Sequence, residues 1–318
     1  MPINSSNGIL YRDEGEHMNR TFVDIGGKRL PLSNLEKDLY PSSGFTKAAI
    51  LDYYRGIGPF ILPHLKDRAL TLKRYPEGVE KGSFFEKRCP SHRPEWVQTA
   101  EVFHRDAPPM TMCVVNDLET LLWAENLAAL ELHVPMARAG SPRTPDSMVF
   151  DLDPGEPAGL LECAQVALIV RDLLSGMGLA SHVKTSGKKG LHVFVPLNRP
   201  ETTFEDTKTF SRAVAMIMQK HYPDLVTGKM AKIERQARVF INWSQNDASK
   251  TMISVYSLRA RERPFVSFPL DWKAVEEAAG KGKAETLQVT HAEALEKVRA
   301  HGDLFREMLE REQKLPHL

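Results

Sequence analysis

Cysteine is nearly absent from this chain: Cys89, Cys113 and Cys163 are three in 318 residues. An odd count at wide spacing argues against a disulfide scaffold and predicts reduced thiols in a cytosolic protein. Cys89-Pro-Ser-His92 has no second ligand pair at finger spacing, which argues against zinc. No apolar run approaches the roughly 18 residues of a membrane span. The polar start, MPINSSNGILYRDEGEH, lacks the apolar core of a signal peptide. A Walker G-x-x-x-x-G-K-[ST] loop, internal repeats and low-complexity tracts are also missing. Charge of one sign is missing as a global feature, since the net charge is +1. It is segregated instead. Lys28 to Arg93 holds 13 Lys/Arg against 7 Asp/Glu, and Lys229 to Arg263 holds eight basic residues against three acidic ones. A neutral protein with positive segments can still track a phosphate backbone locally. Apolar content of 42% and charged content of 26% are ordinary for one large or two modest globular domains.

What is present centres on Met148-Val149-Phe150-Asp151-Leu152-Asp153-Pro154. In a strand, residues two apart share a face, so Asp151 and Asp153 sit side by side while Leu152 turns inward. Two carboxylates that close repel unless a proton or a cation intervenes, and such a pair suits Mg²⁺ or Mn²⁺. The plainer alternative is a strand ending in a solvated acidic turn. Downstream, Thr185-Ser186-Gly187-Lys188-Lys189-Gly190-Leu191-His192 runs into an apolar strand. Its glycines permit close backbone approach, and Ser186, Lys188 and Lys189 offer phosphate-binding groups. His192 opens that strand and can point into the same cleft. A basic hairpin turn is the alternative. Carboxylates for metal beside a basic loop for phosphate point to metal-dependent nucleotide chemistry.

Along the chain, residues 1 to 20 read as a flexible leader. Thr21–Ile25 reads as a strand turned by Gly26-Gly27. Thr46 is placed to cap a helix through about Leu62, with Ile50, Leu51, Tyr54, Ile57 and Phe60 on one face. Ala69–Pro76 reads as a strand. Phe84 and Phe85 suit either a stacking platform for a base or the core, and local sequence favours the core. Thr99 to Val115 reads as two short strands, and Asp117 as a helix cap. Glu131 and His133 share a strand face, with His133 either a cleft residue or an ordinary strand histidine. Helices are expected from about Pro157 to Met177 and from Thr203 onward. The resulting strand, helix, strand, strand, helix order resembles a split βαβ or RRM-like unit with Asp151, Asp153 and His192 on one open face. Arg238–Ser244 and Ser254–Leu258 read as two strands joined by a polar turn. Beyond them Arg259, Arg261 and Arg263 alternate, as a phosphate grip or as a solvated strand end.

Taken in order, LEKDLYP, LKRYPEG, SFFEK, ELHVP, FDLDPG, TSGKKGLHVFVPL and YSLRAR resemble the polymerase domain of bacterial and archaeal non-homologous end-joining ligases of the ligase D type. That domain belongs to the archaeo-eukaryotic primase superfamily, and the resemblance covers about residues 21 to 275. It implies an α+β fold: a primase-like core with an RRM-like antiparallel or mixed sheet flanked by helices, and an N-terminal α/β part packed against it. The expected divisions are an N-terminal DNA-binding part over 21–130, a catalytic core over 131–275 and C-terminal helices over 276–318. The resemblance implies that Asp151 and Asp153 bind two Mn²⁺ (or Mg²⁺) ions. His133, Ser186, Lys188, Lys189, His192, Arg259 and Arg261 then hold the nucleoside triphosphate, with Thr251 beside them. Lys37 and Lys47, with Asn34 nearby, grip a 5′-phosphate on the downstream strand. Phe84 and Phe85 form an aromatic platform against the template, with Lys73 and Arg74 close by, which reverses the local preference for the core. The implied activity is template-directed primer extension and gap filling at double-strand breaks, with ribonucleotides preferred. The implied partners are DNA ends, gapped duplex, nucleoside triphosphates, a DNA ligase and Ku, in a cytoplasmic, nucleoid-associated setting. The chain carries no ligase motif, so sealing falls to another domain or protein.

One departure stands out. The family pattern has a third metal aspartate where this chain has Asn242. An amide offers one neutral oxygen and removes a charge, so metal affinity should fall. Two rivals follow. A non-catalytic module that bridges DNA ends binds DNA and nucleotide without extending a primer. A phosphotransferase of the haloacid dehalogenase type shares Phe-Asp-Leu-Asp, but Pro154-Gly155 departs from its continuation and the motif lies mid-chain.

Overall fold

The computed structural model describes residues 10–12, 20–104 and 107–316. Leu10–Arg12 pairs with Arg20–Ile25, which pairs in turn with Lys28–Ser33 across the Gly26-Gly27 turn. The rest of the expected leader lies outside the described residues. Two larger sheets carry the fold, and it is α+β as expected.

In the first sheet the strands run in the order Met252–Ile253, Glu131–Val134, Ala69–Arg74, Ala107–Val114, Thr99–His104, and Phe84–Glu86 also pairs with Ala69–Arg74. The Lys47–Leu65 helix packs near it and begins where the Thr46 side chain accepts from Ala49 N. It runs past the expected end at Leu62, with Pro59 and Pro63 inside it. Its face of Ile50, Tyr53, Tyr54, Ile57 and Ile61 is buried. Burial of that face, rather than propensity, carries the helix through two prolines. The tyrosine hydroxyls are satisfied across the core: Tyr53 donates to Tyr256 O at 2.7 Å and Tyr54 to Leu130 O at 3.0 Å.

The second sheet has the order Val226–Thr227, Val239–Asn242, Ser147–Pro154, Leu191–Pro196, His182–Thr185, Pro269–Leu270. Its four main strands are antiparallel and carry the helices Leu160–Gly176 and Phe204–His221 between them, which is the RRM-like connection read from the sequence. Alternation does the sorting. Met148, Phe150 and Leu152, with Leu191, Val193, Val195, Val239 and Ile241, face the helices in one core. Val149 and Phe194 face the other way and join the core of the first sheet. Asp151, His192 and Asn242 share that second face.

Two expectations fail. Cys89 and Cys113, read as reduced thiols, are joined in a disulfide, and only Cys163 is free. Spacing along the chain hides this pair. Cys89 N donates to Thr111 O in the neighbouring strand, which brings the two Cα atoms to 4.9 Å. Ser254–Leu258 is not a strand paired with Val239–Asn242. The strands are Met252–Ile253, which joins the first sheet opposite His133 and Val134, and the short Leu258–Arg259. Asn246 explains the crossing between sheets. It is fully buried, accepts from Val149 N at 2.9 Å and donates to Val149 O at 2.7 Å, so the loop is clamped to the central strand. Among the described residues, no helix is long and apolar enough to cross a membrane.

Candidate active site

Strand register builds the site. Asp151 lies opposite Asn242 on one side and His192 on the other, and His192 lies opposite Lys184. Directly opposed residues share a face, so Asn242, Asp151, His192 and Lys184 form one row across the sheet. Asn242 Nδ2 donates to Asp151 Oδ2 at 3.2 Å, and Gln245 Nε2 lies 3.4 Å from the same oxygen. Lys184 Nζ donates to His192 Nδ1 at 2.9 Å, which leaves the Nε2 proton toward Asp151 Oδ1 at 3.4 Å. Burial works to raise the Asp151 carboxyl, but His192, Asn242 and Gln245 outweigh it and hold it below the usual carboxylate range. Burial, helped by Lys184, depresses His192 to about 4, so its imidazole is neutral. Asp153 behaves oppositely: burial and the Asp151 charge raise it, with Arg235 at 3.4 Å as partial relief.

The Ser186 loop meets this row at close quarters. A Cβ on Gly190 would stand 2.1 Å from Leu152 O, and one on Gly187, at φ +70°, would stand 2.3 Å from Arg259 Cγ. Only glycine fits at either position. Ser186 Oγ accepts from Lys188 N and Gly190 N, at 3.2 and 3.1 Å, so the hydroxyl shapes the loop. Arg261 donates to Lys188 O at 3.0 Å.

A cleft of about 530 Å³ opens between the two sheets. Its walls include Asp151, Asp153, Asn242, His133, Ser186, Lys188, Lys189, His192, Thr251, Arg259 and Arg261. Every residue expected at the metal or the triphosphate therefore comes to one place. Arg263 does not line it; its guanidinium lies over Phe265 at 6.0 Å. Sequence reasoning missed Lys184, Gln245, Arg235 and the role of Glu131. Register and loop crossing bring them in; Glu131 stood in ELHVP, but nothing local named its partners.

The residues expected at DNA form a neighbouring group. Phe84 and Phe85 are 46% and 55% exposed, so the core placement favoured locally is overturned. Among the described residues, this three-residue strand pairs with Ala69–Arg74 alone, at the edge of the sheet path, and both rings stay at the surface. Arg74 lies over Phe84 at 5.3 Å and Lys73 over Phe85 at 5.2 Å. Phe85 also meets His133 edge-on at 5.5 Å, which joins this surface to the cleft. Asn34 adopts positive φ and turns the chain so that Lys37 N donates to Asn34 O and Lys47 N to Lys37 O. Lys37 pairs with Glu77 at 2.9 Å. Lys47 is buried and donates to Ser33 O at 2.7 Å; burial, helped by Lys37 and Arg74, lowers it to about 8.

Three comparisons bear on the family and the fold. The family described as LigD, primase-polymerase domain, matches residues 46–305. The chain belongs to the LigD primase-polymerase family. A multifunctional non-homologous end joining DNA repair protein LigD from Mycobacterium tuberculosis is 39% identical over 286 residues, covering 87% of this chain and 37% of that protein. A bifunctional LigD from Bacillus subtilis is 34% identical over 248 residues, covering 78% of this chain and 40% of that protein. The chain thus spans 28% to 40% of the length of the curated relatives it matches. The solved polymerase domain of Mycobacterium tuberculosis ligase D in complex with DNA is similar with a TM-score of 0.82 and 38% identity, covering 90% of this chain and 99% of that one.

Members of this LigD family are polymerase domains of non-homologous end joining, and the donor set can be tested against the implied metal. Asp151 and Asp153 stand two apart on one strand and share a face; burial first, and then the Asp151 charge, raise the Asp153 carboxyl. They fit one divalent ion. At the third position Asn242 turns its amide nitrogen to Asp151 and its oxygen accepts from Ser244 Oγ at 2.7 Å, so a second ion would find a neutral oxygen already engaged.

Proposed function

We propose that this chain extends a primer on a DNA template at gaps and broken ends by metal-dependent nucleotidyl transfer. What carries the proposal is the convergence on one cleft of a carboxylate pair and the Lys188, Lys189, Arg259 and Arg261 cations, next to an exposed aromatic pair. The Mycobacterium tuberculosis domain with the same fold is solved in complex with DNA. Asp151 and Asp153 would hold Mn²⁺ or Mg²⁺. Such an ion supplies Lewis-acid activation of a hydroxyl and neutralises charge on a transferring phosphoryl group. The cations of the loop and of the Arg259 segment bind and orient the triphosphate, and bidentate arginine contacts fix its register. Lys184 keeps the His192 Nε2 proton toward Asp151 and so holds that carboxylate in place. Phe84 and Phe85 offer faces on which template bases stack. Lys37 and Lys47 bind the downstream 5′-phosphate, which directs the domain to gaps. Ribonucleotides are the preferred substrates, and a ligase activity and a Ku-type protein complete the repair.

Primer extension on a 5′-phosphorylated gapped duplex, with ribonucleotides and Mn²⁺, tests this. Extension that is lost in Asp151→Ala supports it. Failure of both this chain and Asn242→Asp to extend, while both bind the duplex, favours a second reading, a non-catalytic end-bridging module. That reading draws on the amide donors of Asn242 and Gln245 turned onto Asp151.

A further inference from the structure

A cleft built for a polyanion should not contain a buried anion, yet this one is backed by Glu131. Its side chain is 1% exposed. Oε2 lies 3.2 Å from His133 Nε2, 3.2 Å from Arg259 Nη1 and 3.9 Å from Lys73 Nζ. Oε1 accepts from Ala260 N at 3.1 Å and from Tyr75 OH at 3.3 Å, and lies 3.6 Å from Lys188 Nζ. Burial works to raise this carboxyl, but His133, Arg259 and Lys188 outweigh it, so it is ionised at neutral pH. A negative charge here repels a triphosphate, so its presence must be offset by what it orders.

We propose that Glu131 is the positioning residue of the nucleotide cleft, holding His133 in its Nε2–H tautomer and aiming Arg259 and Lys188. The proposal rests on the nucleotide reading of the cleft. The geometry separates the partners into two kinds. Arg259, 8% exposed, has its backbone paired with Phe265 in a small separate sheet and its Nη1 on Glu131, so it is the fixed partner. Lys188 sits in the loop, its side chain 39% exposed and only loosely paired at 3.6 Å. A triphosphate can draw Lys188 away from Glu131 while Arg259 stays, so the same carboxylate is a fixed brace for one cation and an interim partner for the other. With Nε2–H committed to Glu131, His133 keeps Nδ1 as an acceptor.

The test compares the parent protein with Glu131→Gln, which keeps an oxygen for Ala260 N but loses the charge. Glu131→Ala serves as the harsher variant. Nitrogen-15 spectra of the imidazoles, with His133 assigned by difference from His133→Asn, report its tautomer. A fluorescent ribonucleoside triphosphate analogue reports nucleotide affinity, and a 5′-phosphorylated gapped duplex reports DNA affinity. We expect His133 as the Nε2–H tautomer in the parent and a shift toward Nδ1–H in Glu131→Gln. Nucleotide affinity should fall on the order of 10-fold to 100-fold with duplex affinity unchanged. An unchanged tautomer and nucleotide affinity in Glu131→Gln would overturn the proposal. So would a parallel loss of duplex and nucleotide binding, which marks a merely structural role. If the parent itself binds no nucleotide, the polymerase reading fails while the tautomer result still judges Glu131.

Discussion

Restoring a carboxylate at position 242 should change the metal-free and metal-loaded protein in opposite directions. Asn242 Nδ2 now donates to Asp151 Oδ2 at 3.2 Å. Asn242→Asp removes that donor and sets a second charge against Asp151 at a similar separation. Two unit charges about 3 Å apart repel by about 5 kcal/mol at an effective dielectric constant near 20. Uptake of a proton by the pair, and the hydroxyl of Ser244 beside it, relieve part of this. The lost bond to a charged acceptor alone accounts for about 1.5–3 kcal/mol. We therefore expect the metal-free variant to be about 2 kcal/mol less stable than the parent near neutral pH. A divalent ion reverses the sign, because it meets one more negative charge. Each 1.4 kcal/mol so gained is about tenfold in affinity, and the Mn²⁺ midpoint for primer extension should fall about 10-fold or more. Extension of a 5′-phosphorylated gapped duplex across a Mn²⁺ series, with melting curves in chelator and in Mn²⁺, measures both effects. Superimposable Mn²⁺ curves for parent and variant would refute the reasoning.

Lys47 yields a pH prediction. Its folded value of about 8 lies below the ordinary lysine value of 10.5, so the unfolded chain binds more protons between them and stability rises with pH across that window. The folded side chain loses its charge around pH 8, so preference for a 5′-phosphate over a 5′-hydroxyl gap should decline from about pH 7 to about pH 9, and Lys47→Arg should flatten the decline. A constant ratio in the parent counts against Lys47 as the phosphate ligand. Phe84→Ala and Phe85→Ala should each weaken template binding about 10-fold while changing stability by on the order of 0.5 kcal/mol or less; duplex titration and denaturant melts separate the two. Glu125 is fully buried and neither side-chain oxygen has a hydrogen-bond partner. Burial raises it far above the ordinary carboxyl value, so its contribution to stability is fully present below about pH 4.5 and is lost as pH rises through the folded value. Glu125→Leu should raise stability at pH 7 by about 1–3 kcal/mol, read by urea unfolding at several pH values.

Much of the site was legible because its parts are local. Asp151-Leu152-Asp153 needs only the two-residue period of a strand, and the Ser186 loop needs only glycines next to cations. The RRM-like order of strands and helices was legible for the same reason. Phe84 and Phe85 were not, because exposure depends on what packs above a strand, and nothing in a run of residues states that. Cys89 and Cys113 were misread because a loop docking on the Ala107–Val114 strand, not spacing along the chain, brings them together.

By itself the sequence determined which side chains face which way along each strand and helix, since backbone periodicity is a property of the residue and its neighbours. It also determined the family, through ordered motifs, and the amide at position 242. Only the tertiary structure decided how the strands align. The register set Asn242, Asp151, His192 and Lys184 in one row, and Asn246 carried the chain from one sheet to the other to close the cleft. It also turned Glu131 from a strand residue into the shared partner of His133, Lys188 and Arg259. Lys188 and Arg259 lie far from Glu131 in sequence, and only tertiary packing brings them to its carboxylate.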